Sequence, residues 1–258
     1  MDNVNRTLYI PLYGKALVSR RGLILKDPWA ERIWDAAGIS LKGKAASKWL
    51  AYTMGMRSAV FDNWLREKLE PDAVVLHLGC GLDSRCCRVS CENRWFDVDF
   101  PAVTEERKKH FSESETYRMI GSDLRENWLE EIPSGGAAIV VMEGVSMYLT
   151  AQERGALLKA IGEHFGRVHL LLDAYTVFAA KATKYKNPIN EVGVTTVFGF
   201  DDPRELEQGT GFIFLRELDM TPDAMIETLP RREQGLFRAL FGGKTAKKFY
   251  RMYEYENQ

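Results

Sequence analysis

The stretch "VVLHLGCGLDSRCCRV", residues 74 to 89, decides how this chain is read. A run of β-favouring residues breaks into Gly79-Cys80-Gly81, the pattern of a buried strand that ends in a tight turn. Glycines at 79 and 81 permit positive φ and a close approach of ligand to backbone, and a helix after them would present free N–H groups. Gly-x-Gly alone is a weak signal, and a tight turn without a ligand is the competing reading.

The flanking chain repeats one theme. "AVVLHLG", "RWFDVDFP", "YRMIGSD", "AAIVVMEG" and "RVHLLLDAY" read as successive strands. The helical patterns "AVTEERKKHF", "RENWLEEI" and "TAQERGALLKAIGEHF" separate most of them, and the last opens with a capping pair, Thr150 and Glu153. Such alternation predicts a doubly wound, mainly parallel sheet with its ligand at the carboxyl ends of the strands. "TGFIFLRELDM" and "KKFYRMYEYE" add two strands around a helical insertion near 222–241, which predicts seven strands with an antiparallel edge. Residues 1 to 70 carry helical patterns such as "DPWAERIWDAAG" and "RSAVFDNWLREKL". No Pro/Gly/Ser linker follows them, so they read as a cap on a single domain spanning 1–258, with the core at 71–258.

With 35 basic against 36 acidic residues, the chain has no charge excess to draw it to nucleic acid or a membrane surface. Its N-terminus lacks a signal-peptide core and no apolar run is long enough to span a bilayer, so a cytoplasmic location is expected. Cys80, Cys86, Cys87 and Cys91 contain no Cys-x-x-Cys spacing, so they read as reduced thiols and no metal is expected. "ERKKH", residues 106–110, reads as a solvated helix face. No histidine has a paired nucleophile near it in sequence, so a hydrolase triad has no visible parts.

Asp99 gives the glycine turn its meaning. It ends the second strand 18 residues beyond Gly81, close to the spacing at which an acid takes the ribose hydroxyls of a bound nucleoside. A dinucleotide would put two phosphates among Asp83 and Asp99, whereas S-adenosylmethionine brings a sulfonium cation and an amine and no phosphate. Electrostatics thus favours the methyl donor. The alternative, an NAD(P)-dependent oxidoreductase, lacks an evident hydride-transfer Tyr-x-x-x-Lys: Tyr175 and Lys181 lie six apart, off one helix face.

The ordered motifs "HLGCGLDSR", "RWFDVDFP", "GSDLRENWL" and "VVMEGVSMYLTAQE" resemble those of the leucine carboxyl methyltransferase family, especially its bacterial, polyketide-tailoring, tetracenomycin-type O-methyltransferases. The likeness extends to "YGKALVSRRGLILKDPWAERI" and "GMRSAVFDNWL", and departs at Cys80, where alanine is usual, and at "DSRCCR". It implies a class I methyltransferase fold, an α/β Rossmann-like seven-stranded sheet, with S-adenosyl-L-methionine as cofactor. It further implies that Gly79 and Gly81 face the methionine part of the donor and Asp99 its ribose. Asp123 and the backbone N–H of Leu124 would take the adenine, although Asp123 also suits a helix N-cap. Glu143 would lie near the donor's amine or the acceptor pocket, since a glutamate ending an apolar strand is costly to bury unpaired.

In the same likeness Arg57 pairs with the donor's carboxylate, with Lys15 as a second basic residue. A planar fork suits that job, and the competing reading is a solvated helix arginine paired with Asp62 or another acid. Tyr148 either lines the acceptor pocket or packs under the next helix. The acceptor is expected to be a carboxylate or hydroxyl of a small, polyketide-like molecule or of a peptide terminus, or another carboxylate substrate. An already ionised carboxylate needs only positioning and desolvation, whereas a hydroxyl would need a base such as Glu143 or Tyr148.

Overall fold

The computed structural model describes residues 8–89, 92–182 and 196–257. Its helices are α1 (Tyr9–Arg20), α2 (Pro28–Ala37), α3 (Lys48–Lys68), α4 (Arg85–Arg88), α5 (Pro101–Arg107), α6 (Ala151–His164), α7 (Val177–Ala182), α8 (Asp223–Ile226), α9 (Arg231–Phe241) and α10 (Gly243–Lys247). The strands are β1 (Val74–Leu78), β2 (Trp95–Asp99), β3 (Tyr117–Gly121), β4 (Ala137–Met142), β5 (Arg167–Tyr175), β6 (Phe212–Leu218) and β7 (Tyr250–Asn257).

One seven-stranded sheet results, in the order β3-β2-β1-β4-β5-β7-β6. The five strands read as apolar runs are parallel, and β1 and β2 are buried along their whole length, as strands covered on both faces must be. The expected antiparallel edge is corrected in one respect. β7 is antiparallel to both β5 and β6 and lies between them, so the edge strand β6 runs parallel to the first five. Period-two patterning marks both segments as strands but carries no information on which of them pairs inward.

Helices fill both faces. On one, Leu157, Leu158 and Ile161 of α6 pack with Leu76, Val140 and Leu170. On the other, Phe61, Trp64 and Leu65 of α3 pack against Val75, Val141, Leu171 and Met252. The N-terminal region is therefore more than a lid, because α3 forms a layer of the core. Leu229 and Phe237, in the segment from α8 to α9, bury themselves against Val18 of α1 and Met56 of α3. At the start of α6 both arms of the Thr150–Glu153 capping box form, at 3.2 and 2.7 Å. No helix among the described residues is long and apolar enough to cross a membrane.

Candidate functional site

At the carboxyl ends of β1, β2 and β4 the strands open into a cavity of about 560 Å³, a volume that suits a cofactor-sized ligand. Lys15, Arg57, Gly79, Gly81, Asp99, Asp123, Leu124, Glu143 and Tyr148 all line it, although they come from seven separate stretches of chain. Leu50, Met54, Val145 and Met147 supply apolar wall.

The glycine turn is built for close approach. Gly79 has φ +61°, and a Cβ there would lie 2.2 Å from Val145 Cγ2, so no side chain fits. The helix that follows is a single turn, α4, which corrects the expectation of a helix N-terminus aimed at a ligand. The turn's own N–H instead organises the second strand: Gly81 N donates to Asp99 Oδ2 at 2.7 Å, and Phe100 N donates to Oδ1 at 2.8 Å. Burial raises the Asp99 carboxyl, and those two N–H groups partly offset it. Each oxygen keeps a lone pair for a further donor.

Beneath the turn lies a buried ionic network that sequence reasoning missed. Arg85, fully buried, pairs with Asp62 at 2.7 Å, with Asp83 at 3.4 Å and with Glu143. Arg88 holds Asp27, Asp62 and Asp83 at 2.6–2.9 Å, and Lys15 reaches Asp83 at 3.0 Å. Asp62 therefore pairs with Arg85 and Arg88, not with Arg57. Burial would raise the Asp83 carboxyl, but Arg88, Lys15 and Arg85 hold it well below its ordinary value. Its charge is consumed inside the network, so only Asp99 sustains the electrostatic argument against a pyrophosphate.

Arg107, part of the presumed solvated face "ERKKH", is a second correction. It is fully buried, bonds Asp97 through Nε at 2.9 Å, and donates from Nη1 to the Gly81 carbonyl at 2.9 Å. Lys108 and Lys109 do stay exposed, paired with Glu105 and Glu106. His77 also lines the cavity, but Asp97 engages its Nδ1 at 3.1 Å and Arg85 its Nε2 at 2.9 Å. Burial lowers its pKa, so it is a neutral ring with both nitrogens occupied. Cys80, Cys86 and Cys87 are free thiols, and Cys91 lies outside the described residues.

Glu143 accepts from Arg57 Nε at 2.9 Å, from Ser58 Oγ at 3.2 Å and from Arg85 Nη2. Burial pushes its carboxyl up, but Arg57 and Arg85 outweigh that and hold it below the usual range. Arg57 Nη1 donates to the Tyr250 hydroxyl at 2.8 Å and lies 3.5 Å from Asp173, while its Nη2 has no hydrogen-bond partner among the described residues. Tyr250 in turn donates to Asp173 Oδ2 at 2.9 Å, and Gly144 N donates to Oδ1 at 2.7 Å. Asp123 takes the Arg125 backbone N–H at 3.0 Å and its guanidinium at 2.9 Å beside the cavity, and the chain after it turns into a 3-10 helix at Trp128–Glu131, so the expected helix and its N-cap at Asp123 do not form. Tyr148 is 39% exposed on the cavity wall, and its apolar surroundings push the phenol up to about 12.

The model of the leucine carboxyl methyltransferase family matches residues 10–162. TcmP of Streptomyces glaucescens, a tetracenomycin polyketide synthesis O-methyltransferase, is 32% identical over 213 residues, covering 80% of this chain and 79% of the relative. The S-adenosyl-L-methionine-dependent methyltransferase dpfgK of Gibberella zeae is 27% identical over 183 residues, 64% of this chain and 61% of the relative. Among solved structures, magnesium protoporphyrin IX methyltransferase from Synechocystis PCC 6803, with S-adenosylmethionine bound, superposes with a TM-score of 0.51 at 13% identity. The match covers 88% of this chain and 91% of that one, and the likeness is one of fold.

Proposed function

The chain belongs to the leucine carboxyl methyltransferase family and is an S-adenosylmethionine-dependent methyltransferase; from that premise we propose that it methylates an already ionised oxygen, a carboxylate, on a small, largely apolar acceptor. Family membership sets the oxidoreductase alternative aside. The residues around the cavity suit the donor on three counts. Asp99 keeps one lone pair on each oxygen for a pair of ribose hydroxyls. The side-chain-free edge at Gly79 and Gly144 admits the methionine chain against bare backbone. Arg57 Nη2, without a hydrogen-bond partner among the described residues, stands on the cavity wall for the carboxylate. Lys15 stands close by, and Asp123 and Leu124 are assigned to the adenine.

When bound, the donor supplies a methyl group on a sulfonium, open to in-line attack. The chain's own part is to hold the acceptor oxygen on that line and to exclude water from it. The carboxylate reading rests on one observation: the candidate bases on the cavity wall are committed elsewhere. His77 has both nitrogens engaged, and Glu143 accepts from Arg57, Ser58 and Arg85 and is held below its usual range. Glu143 is therefore assigned to shaping the cavity instead of removing a proton, and Tyr148 to lining its wall. A hydroxyl acceptor has one route favoured by the geometry, from Tyr250 to Asp173 behind it. The relative TcmP, named for polyketide synthesis, supports a polyketide-like acceptor.

The test uses donor labelled in the methyl group with matched aromatic carboxylic acids and phenols. Label that is released by mild alkali is a methyl ester and is the expected product; alkali-stable label would be an ether and would transfer the proposal to the Tyr250–Asp173 route. The ribose assignment is tested separately. Asp99→Ala should weaken S-adenosylhomocysteine binding about tenfold or more, the value of one or two hydrogen bonds to a charged group, measured by calorimetry. Equal affinity in variant and parent would remove Asp99 from the donor site.

A further inference from the structure

The buried charges around the cavity do not balance. Lys15, Arg57, Arg85 and Arg88 face five carboxylates, Asp27, Asp62, Asp83, Glu143 and Asp173, joined by the ion pairs described above, and Asp99, held by two backbone N–H groups, adds a sixth. Within the ion-paired network, Asp173 is the acid with the weakest claim on a cation. Its nearest, Arg57 Nη1, stands at 3.5 Å, and the same guanidinium bonds Glu143 at 2.9 Å. Its other partners are uncharged donors, the Tyr250 hydroxyl and the Gly144 N–H. The acid is fully buried in β5, directly behind Gly144 on the cavity wall.

We propose that Asp173 is a specificity-determining residue that makes the site discriminate the positively charged methyl donor from its neutral product, through the negative charge it adds behind the cavity wall. The proposal rests on the methyl-donor reading above. The donor adds a sulfonium to a zwitterionic amino acid and is a net cation, whereas S-adenosylhomocysteine, its product, has no such charge. A fixed, unneutralised carboxylate in a site screened from water favours the first over the second, and the preference disappears once the methyl has left, which aids product release. Asp173 acts without touching either ligand, through the field it adds behind Gly144 and Arg57.

The charge on Asp173 is also adjustable. Burial raises its carboxyl to about 6, against the pull of Arg57. The groups facing it are Arg57 from α3, Glu143 at the end of β4, Tyr250 from β7 and, farther off, Tyr148. Of these only Asp173 changes charge near neutrality: Arg57 stays protonated, Glu143 ionised, and burial raises both phenols. Above its pKa that charge is present; as the pH falls through about 6 it is lost.

The test compares two stable ligands by calorimetry: S-adenosylhomocysteine, and sinefungin, which carries an amine cation in place of the sulfonium. The readout is the ratio of their affinities, which a general loss of fold or of cavity shape moves little because both ligands share every other group. Asp173→Asn should shift that ratio away from sinefungin by about fivefold or more, the effect of a unit charge acting across a few ångströms of protein. Lowering the pH from 8 to 5 should shift the parent's ratio in the same direction and by more than the variant's, and a parent without that shift overturns the proposal even if the variant folds poorly. Any slope left in the variant belongs to Asp99. An unchanged ratio in the variant, or a parent ratio flat with pH, would overturn the role of Asp173. Failure of both ligands to bind the parent would instead overturn the methyl-donor site itself.

Discussion

Arg85→Ala is expected to destabilise the protein by on the order of 3 kcal/mol, the lower end of the cost of breaking a buried ion pair, because Arg88, Lys15 and Arg57 still hold the acids it leaves. Arg85 has no exposed surface and three acidic partners, Asp62, Asp83 and Glu143, so the substitution strands charge in the floor of the cavity. Urea unfolding followed by circular dichroism measures the effect, and its pH dependence identifies the cause. All three carboxyls are held below their ordinary values in the parent. Groups of that kind contribute stability above their unfolded pKa, about 4, which is lost as pH falls through their folded values. The gap between parent and variant should therefore be widest above about pH 5 and narrow below about 4. A loss below about 1 kcal/mol, or one independent of pH, would show that the network is not what holds the turn.

Arg57→Ala should weaken S-adenosylhomocysteine binding by about 2 kcal/mol or more, the worth of a charge-assisted hydrogen bond to a carboxylate in a buried site. The same variant should bind 5'-methylthioadenosine, which lacks that carboxylate, as the parent does. Arg57→Lys keeps the charge but not the fork that spans Glu143, Tyr250 and the cavity wall, and should fall between the two. Calorimetry with both nucleosides checks this. Equal weakening of both ligands by the alanine variant would mean that Arg57 only supports α3 against the strand ends.

Much of the fold was legible because apolar runs such as "AAIVVMEG" name buried parallel strands directly, and the Gly-x-Gly turn with Asp99 names the end of the sheet where ligands sit. Local chemistry also sufficed for the capping box of α6. What stayed hidden depended on partners distant in sequence. Arg57 has an acid five positions on, yet it bonds residues 143 and 250, because α3 turns that face to the strand ends. Arg107 sits in a run of charges and is buried all the same, because Asp97 and the Gly81 carbonyl wait beneath it. "DSRCCR" hid the network's centre: Arg85 and Arg88 are spaced as one helical turn, and only the fold brings Asp27, Asp62 and Glu143 to them. A local charge pattern cannot separate a solvated face from one that meets buried acids.

The order of the last two strands governs when the molecule can be completed. β6 emerges from the ribosome more than thirty residues before β7, yet it can join the sheet only through β7. Until then it is an edge with nothing to lean on, and Arg216 and Glu217 in its middle make it a poor template for another chain. The arrival of β7 does three things at once: it closes the sheet, recruits β6, and carries Tyr250 to Arg57 and Asp173. Pairing over such sequence separation is slow to form. Competence to hold a ligand should thus appear late in refolding, in the same kinetic phase as the final burial of Tyr253 and Tyr255, and not with the early collapse of the five parallel strands.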